Sequence, residues 1–181
     1  TLDYTVITCN IFSSFWNDDI TTTLKVYPQL TENESQPGTY LGTFADKLSS
    51  SSAATINRAF IFNNDVLSKI TEYEIYSNKD VKTYAKKFYL LLNYAQRRFN
   101  MEVKATYYDD ASVPGLHTPI AEEDWNNENW RNEIGQKLQA GTLRLYCQLQ
   151  DEHTQLWLSA FNTSDGSGIY IVRDYTANTI R

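Results

Sequence analysis

The chain has 181 residues, enough for one domain with a real core, and 41 % hydrophobic with 21 % charged residues describes an ordinary globular protein. A net charge of −6 argues against a generic nucleic-acid binder, because neutralising phosphates takes an excess of Lys and Arg, and leaves room only for a local basic site. Thirteen tyrosines, with eight Phe and four Trp, exceed what a minimal core needs, and they suit an aromatic contact surface as well as a tyrosine-rich interior.

In chain order, "TLDYTVITCNIFSSFW" is rich in β-branched and aromatic residues and predicts one or two strands. "TTTLKVYPQL" predicts another, closed by Pro28, and "TENESQPG" is turn chemistry that stops at Pro37-Gly38. Leu41, Phe44, Ala45 and Leu48 fall at helical spacing and predict a short helix over 39–48, followed by a small-residue stretch, "SSSSAAT". Asn64 or Asp65 caps a second predicted helix, striped by Val66, Leu67, Ile70, Tyr73 and Ile75 or Tyr76. "SNKD" at 77–80 ends it and caps the next helix, about 81–100, whose apolar face carries Tyr84, Phe88, Leu91, Leu92, Ala95 and Phe99. "YYDDASVPGLHTP" predicts a loop, and "AEEDWNNENWRNEIGQKLQAG" a helix in which Trp130, Ile134 and Leu138 recur before Gly141 stops it. Beyond Gly141 the period becomes two, in "TLRLYCQLQ", "TQLWLSAF" and "GIYIVRDY", and predicts an antiparallel meander.

The expected fold class is therefore α+β in a single domain over 1–181, with N-terminal strands, central α-helices and C-terminal antiparallel strands. No stretch approaches membrane-span length. Thr1 is not an initiator Met and points to a processed or trimmed N-terminus, and Asn33-Glu-Ser and Asn162-Thr-Ser match the glycosylation pattern, so the expectation leans to a secreted protein. Cys9 and Cys147 leave a disulfide open. His117 and His153 lack partners at ligand spacing, so neither a metal nor a cofactor is expected.

The two adjacent arginines of "YLLLNYAQRRFN" are unlike each other on a helical wheel. Arg97 falls opposite the apolar face and should be solvated; Arg98 falls at its edge, on the row of Leu91 and Ala95. Glu102 shares that row if the helix continues, and its simplest role is an ion pair with Arg98.

The order of these segments resembles the ribosome-inactivating proteins, the rRNA N-glycosylases. The similarity runs from about Gly38 to Phe161, through Gly38-Thr39-Tyr40, the "NNDVLSKITEYEIYS" segment, the Arg98-Phe99 pair and the "NNENWRNEIGQKLQ" helix. The resemblance implies a hydrolase toxin acting on adenine in ribosomal RNA. It would make Arg98 and Glu102 the catalytic candidates, with Tyr4, Tyr40 and Trp130 binding substrate. Three residues before Arg98, where that family carries its catalytic glutamate, this chain has Ala95, which implies a divergent enzyme or one without the glycosidase step.

The residues support other classes as well. One is a non-catalytic, acidic, tyrosine-rich secreted binding domain that recognises a sugar or protein ligand through aromatics such as Trp16, Trp125 and Trp157. Another is an inhibitor or immunity-type protein that meets a basic partner with "AEED" and "YYDD". ADP-ribosyl transfer, with "TEYE" as its Glu-x-Glu, is disfavoured because Glu72 and Glu74 diverge on a helix.

Overall fold

The fold is taken from a computed structural model, which describes residues 12, 16–48, 54–77, 81–163, 166 and 168–178. The first helix, α1 (Ile20–Val26), starts where the Asp19 carboxylate accepts from the Thr22 amide at 2.6 Å. That cap overrides the strand propensity of the threonines that follow it. Four strands then run as a meander: β1 (Thr31–Glu32), β2 (Thr39–Ala45), β3 (Thr55–Asn63) and β4 (Val66–Ser77). A long helix, α2 (Val81–Phe99), leads to β5 (Glu102–Asp110) and β6 (His117–Pro119). A 3-10 helix (Glu122–Asn126) and α3 (Glu128–Gln139) precede the last meander, β7 (Leu143–Gln150), β8 (Thr154–Asn162) and β9 (Gly168–Ala177).

The nine strands of the described residues form one antiparallel sheet in the order β1-β2-β3-β4-β9-β8-β7-β5-β6. With 45 % of the described residues in strands against 28 % in helices, the expected α+β layout with central helices is overturned in favour of a β-rich fold. Two of the predicted helices are strands. At 64–76 the helical stripe was matched, but Asn64 and Asp65 both have positive φ, 51° and 63°, and Asn63 pairs directly with Val66. These two residues are a primed hairpin turn rather than a helix cap, and the β-branched and aromatic residues after them fill β4. At 39–48 the turn at Gly38 (φ 80°) starts β2. Gly42 is poor in a helix, and the Phe44 ring and Leu30 occupy the space its side chain would take. The expected loop at 107–119 is largely β5 and β6, and the expected strand at 21–30 is α1.

Helix α2 keeps the predicted span and face, with Tyr84, Ala85, Phe88, Leu91, Leu92 and Ala95 buried. Asn100 (φ 53°) ends it before Glu102. Asn127 caps α3 by accepting from the Trp130 amide at 3.2 Å, and Gly141 (φ 72°) follows its end. Both helices pack on one face of β7 and β8, where Leu145, Leu149, Leu156 and Leu158 are fully buried. The predicted C-terminal meander is present, with its alternation intact.

Gly135 marks the closest approach of α3 to the start of α2. A Cβ there would lie 2.0 Å from the Val81 carbonyl oxygen, which is backbone and cannot swing aside. Gly135→Ala is therefore expected to destabilise by about 2 kcal/mol or more, despite alanine's better helix propensity. Urea denaturation of the two proteins measures this directly.

Candidate functional site

Three places in the fold bring chemically capable groups together. The first is a buried ionic row that crosses the seam between the two meanders. Arg58 of β3, Glu72 of β4 and Arg173 of β9 face one another in register on the helix-covered side of the sheet. Arg58 reaches Glu72 Oε1 through Nε at 2.9 Å and Nη2 at 2.7 Å. Arg173 grips Asp46 with both terminal nitrogens, at 2.6 and 3.1 Å. It also bonds Glu72 at 3.3 Å and Glu74 at 2.8 Å. The Tyr175 hydroxyl donates to Glu72 at 3.2 Å, and the Arg58 guanidinium lies 4.3 Å from both the Phe12 and Phe44 ring centres.

Burial alone would raise the Asp46 carboxyl, but the hydrogen bonds and charge of Arg173 outweigh it and hold Asp46 below the usual carboxylate range. For Tyr175, burial first and then the Glu72 charge push the phenol well up. The side chains of Arg58, Glu72, Arg173 and Asp46 expose 4 % or less, too little to meet a ligand, so the row acts structurally.

Because the folded Asp46 titrates below its unfolded value, its contribution is present above about pH 4 and is lost as pH falls through the folded value. Asp110 behaves alike, held at about 2 by its bonds to Ser112 and Lys137. Asp46→Asn is therefore expected to lower stability at neutral pH and to flatten its fall below about pH 4. Denaturant melts across that range measure both effects.

The second place is the other face of the same sheet, on which no helix packs among the described residues. Strand register puts Tyr107, Tyr146, Ser159, Val172, Tyr73 and Asn57 in one row across six strands. A parallel row holds Asp109, Arg144, Phe161, Tyr170 and Ile75, and the next holds Gln148, Trp157, Asp174 and Thr71. Tyr107 stacks on Tyr146 at 5.2 Å, and Tyr170 meets Phe161 at 5.9 Å and Tyr73 at 6.3 Å. The Arg144 guanidinium lies 5.6 Å from the Phe161 ring centre. At the sheet edge His117 Nδ1 lies 2.6 Å from Asp109 Oδ1, with its ring 4.8 Å from Tyr107. On this face Lys69 pairs with Asp174, Arg144 stands opposite Asp109 in register and Lys104 pairs with Glu102, so these charges are matched in a chain of net charge −6.

The third is a cleft of about 240 Å³ between α2, β5 and the 3-10 helix, with Asn93, Gln96 and Glu122 at its mouth and Tyr89 and Trp125 in its wall.

The site residues expected from sequence are dispersed. Arg98 is exposed, like Arg97; it donates to the Lys47 carbonyl at 3.0 Å and lies beside Leu90 and Tyr94 in an open groove on α2. Glu102 begins β5 and pairs with Lys104 at 2.6 Å rather than continuing the helix toward Arg98. Tyr40 packs edge-on against Phe62, and Trp130 edge-on against Trp125. Six inter-strand steps separate the strands of Tyr40 and Glu102, each about 4.8 Å. Ala95, in the place of the resembled glutamate, is fully buried. Tyr4 and Cys9 lie outside the described residues.

Of the three tryptophans expected on a contact surface, Trp16 and Trp125 are buried and only Trp157 stands on the uncovered face. The acidic runs are partly spent: Asp109 on His117, and Asp110 on Ser112 and Lys137. Asn162 donates its side-chain amide to the Gln139 carbonyl, so in the folded chain this nitrogen is engaged, whereas Asn33 sits in a turn that it closes onto Ser35. Cys147 is a buried free thiol beside Thr106 Oγ1 at 3.4 Å, and burial pushes it up to about 12. It is expected to resist alkylation until the protein unfolds, which a thiol titration with and without denaturant would show.

The aromatic rows other than Trp157 were missed in sequence. Their signal is the outward phase of the late strands, where polar residues are expected and Tyr146, Phe161 and Tyr170 stand instead. The chain matches no protein-family model, and no curated protein or solved structure is significantly similar to it. Its function is therefore read from its own geometry. Among the described residues no group of His, Cys, Asp or Glu is placed to hold a metal ion, and no helix is long and apolar enough to cross a membrane.

Proposed function

We propose that the protein is a non-catalytic binding module that takes a neutral sugar chain on the uncovered aromatic face of its sheet. The observation that carries this reading is the set of aromatic rings in adjacent registers on that face: Tyr107 and Tyr146, Trp157, and Phe161 with Tyr170 and Tyr73. A pyranose ring has an apolar C–H face that rests on an aromatic ring, and hydroxyls that need hydrogen-bonding groups around it. Gln148, Gln155, Asn57 and Ser159 supply such groups among the rings.

The balance of charge on the face favours an uncharged ligand over an acidic one, and over the ribosomal RNA that the family resemblance would imply. A long ligand suits an open face, because a sheet offers breadth rather than a pocket. Secretion remains part of the same proposal, since extracellular sugars are the natural ligands for such a surface. The test is retention of the purified protein on insoluble cellulose, xylan, chitin and mannan, with soluble oligosaccharides as competitors. Retention relieved by one oligosaccharide supports the reading; no retention on any of them overturns it.

A further inference from the structure

We propose that the cleft between α2, β5 and the 3-10 helix is a second binding site, for a small molecule bearing a protonated amine. Its mouth is built from separate parts of the chain: Asn93 and Gln96 one turn apart on α2, and Glu122 on the 3-10 helix. Neither amide nor the carboxylate has a hydrogen-bond or ion-pair partner among the described residues. Asn93 and Gln96 are half-buried and Glu122 is exposed, so all three are open to a ligand that enters this small concave space.

The wall beneath is rigid. Trp125 is 4 % exposed and lies nearly parallel to Tyr89 at 5.2 Å and to Phe88 at 5.9 Å, with Trp130 edge-on at 5.1 Å. Arg131, the one arginine of α3, donates to the Trp125 carbonyl. Glu122 is the one charged residue that lines the cleft, so the space is an acceptor for positive charge. The two amides each offer a donor and an acceptor, and they suit a hydroxyl or carbonyl on the same ligand. A volume of about 240 Å³, below that of drug-sized sites, limits the ligand to a small molecule.

The site is independent of the sheet face, and its test does not involve sugars. Ethanolamine, ethylene glycol and glycolate share a two-carbon frame and differ in charge. Titrated into ¹⁵N-labelled protein, ethanolamine is expected to move the side-chain amide signals of Asn93 and Gln96 and the Trp125 indole signal to saturation. The other two should bind about tenfold more weakly or not at all. Glu122→Gln keeps the size of an exposed residue, so its melting temperature should match the parent, and its affinity for ethanolamine should fall about tenfold. Glycolate or ethylene glycol binding as well as ethanolamine, full affinity in Glu122→Gln, or unmoved amide signals at Asn93 and Gln96 would each overturn the assignment.

Discussion

Replacing Arg173 by methionine is expected to cost about 3–5 kcal/mol, a large part of the 5–15 kcal/mol that holds a domain of this kind together. The methionine fills most of the volume but leaves Asp46 buried without its cation, whereas Glu72 keeps Arg58. The cost comes from that stranded carboxylate more than from lost attraction, which gives a second, sharper expectation. Adding Asp46→Leu to Arg173→Met should restore part of the loss, because the double variant no longer carries that stranded acid. Urea melts of the four proteins in that cycle give the coupling. A loss below about 1 kcal/mol for Arg173→Met would mean that the row contributes little to stability.

The second large effect is expected in binding. If a sugar covers about 50 Å² of one ring, at roughly 25 cal/mol per Å² the contact contributes about 1.3 kcal/mol, close to a factor of ten in affinity. Trp157→Ala and Tyr170→Ala should each weaken retention by about that factor, and together by about a hundredfold if the two rings act separately. Both residues are only partly buried and point away from the helices, so thermal stability should change little. Arg98→Ala and Trp130→Ala, which the resemblance to N-glycosidases would make important, should leave sugar binding unchanged.

The parts of the fold legible in sequence are those where one periodicity had no rival. In α2 the apolar residues from Tyr84 to Ala95 fit only a helix, and the meander from Leu143 to Tyr175 alternates without interruption. The segments 39–48 and 64–76 failed because a few apolar residues fit a helical stripe by coincidence. There the deciding signals were local: a turn with two positive-φ residues at Asn64 and Asp65, and a mid-segment glycine at Gly42. Arg98 was placed on the correct helix, but the turn at Asn100 took Glu102 into β5 and removed its expected partner. The ionic row was not legible, because Arg58, Glu72 and Arg173 meet only once the two meanders are joined at β4 and β9. The aromatic face was half legible. Its residues stand at alternating positions in the late strands, yet its continuity onto Tyr73 and Tyr107 depends on strand order that sequence does not give.

The most direct measurement is a chemical-shift map of the protein titrated with the soluble oligosaccharide that best competes for retention. Perturbations are expected to follow the outward register: Tyr146, Gln148, Trp157, Ser159, Tyr170 and Asp174, crossing adjacent strands. The inward neighbours Leu145, Leu158 and Ile171 and the exposed surface of α2 should stay unmoved. Perturbations concentrated on α2 around Arg98, or on α3 around Trp130, would contradict the assignment of the sheet face.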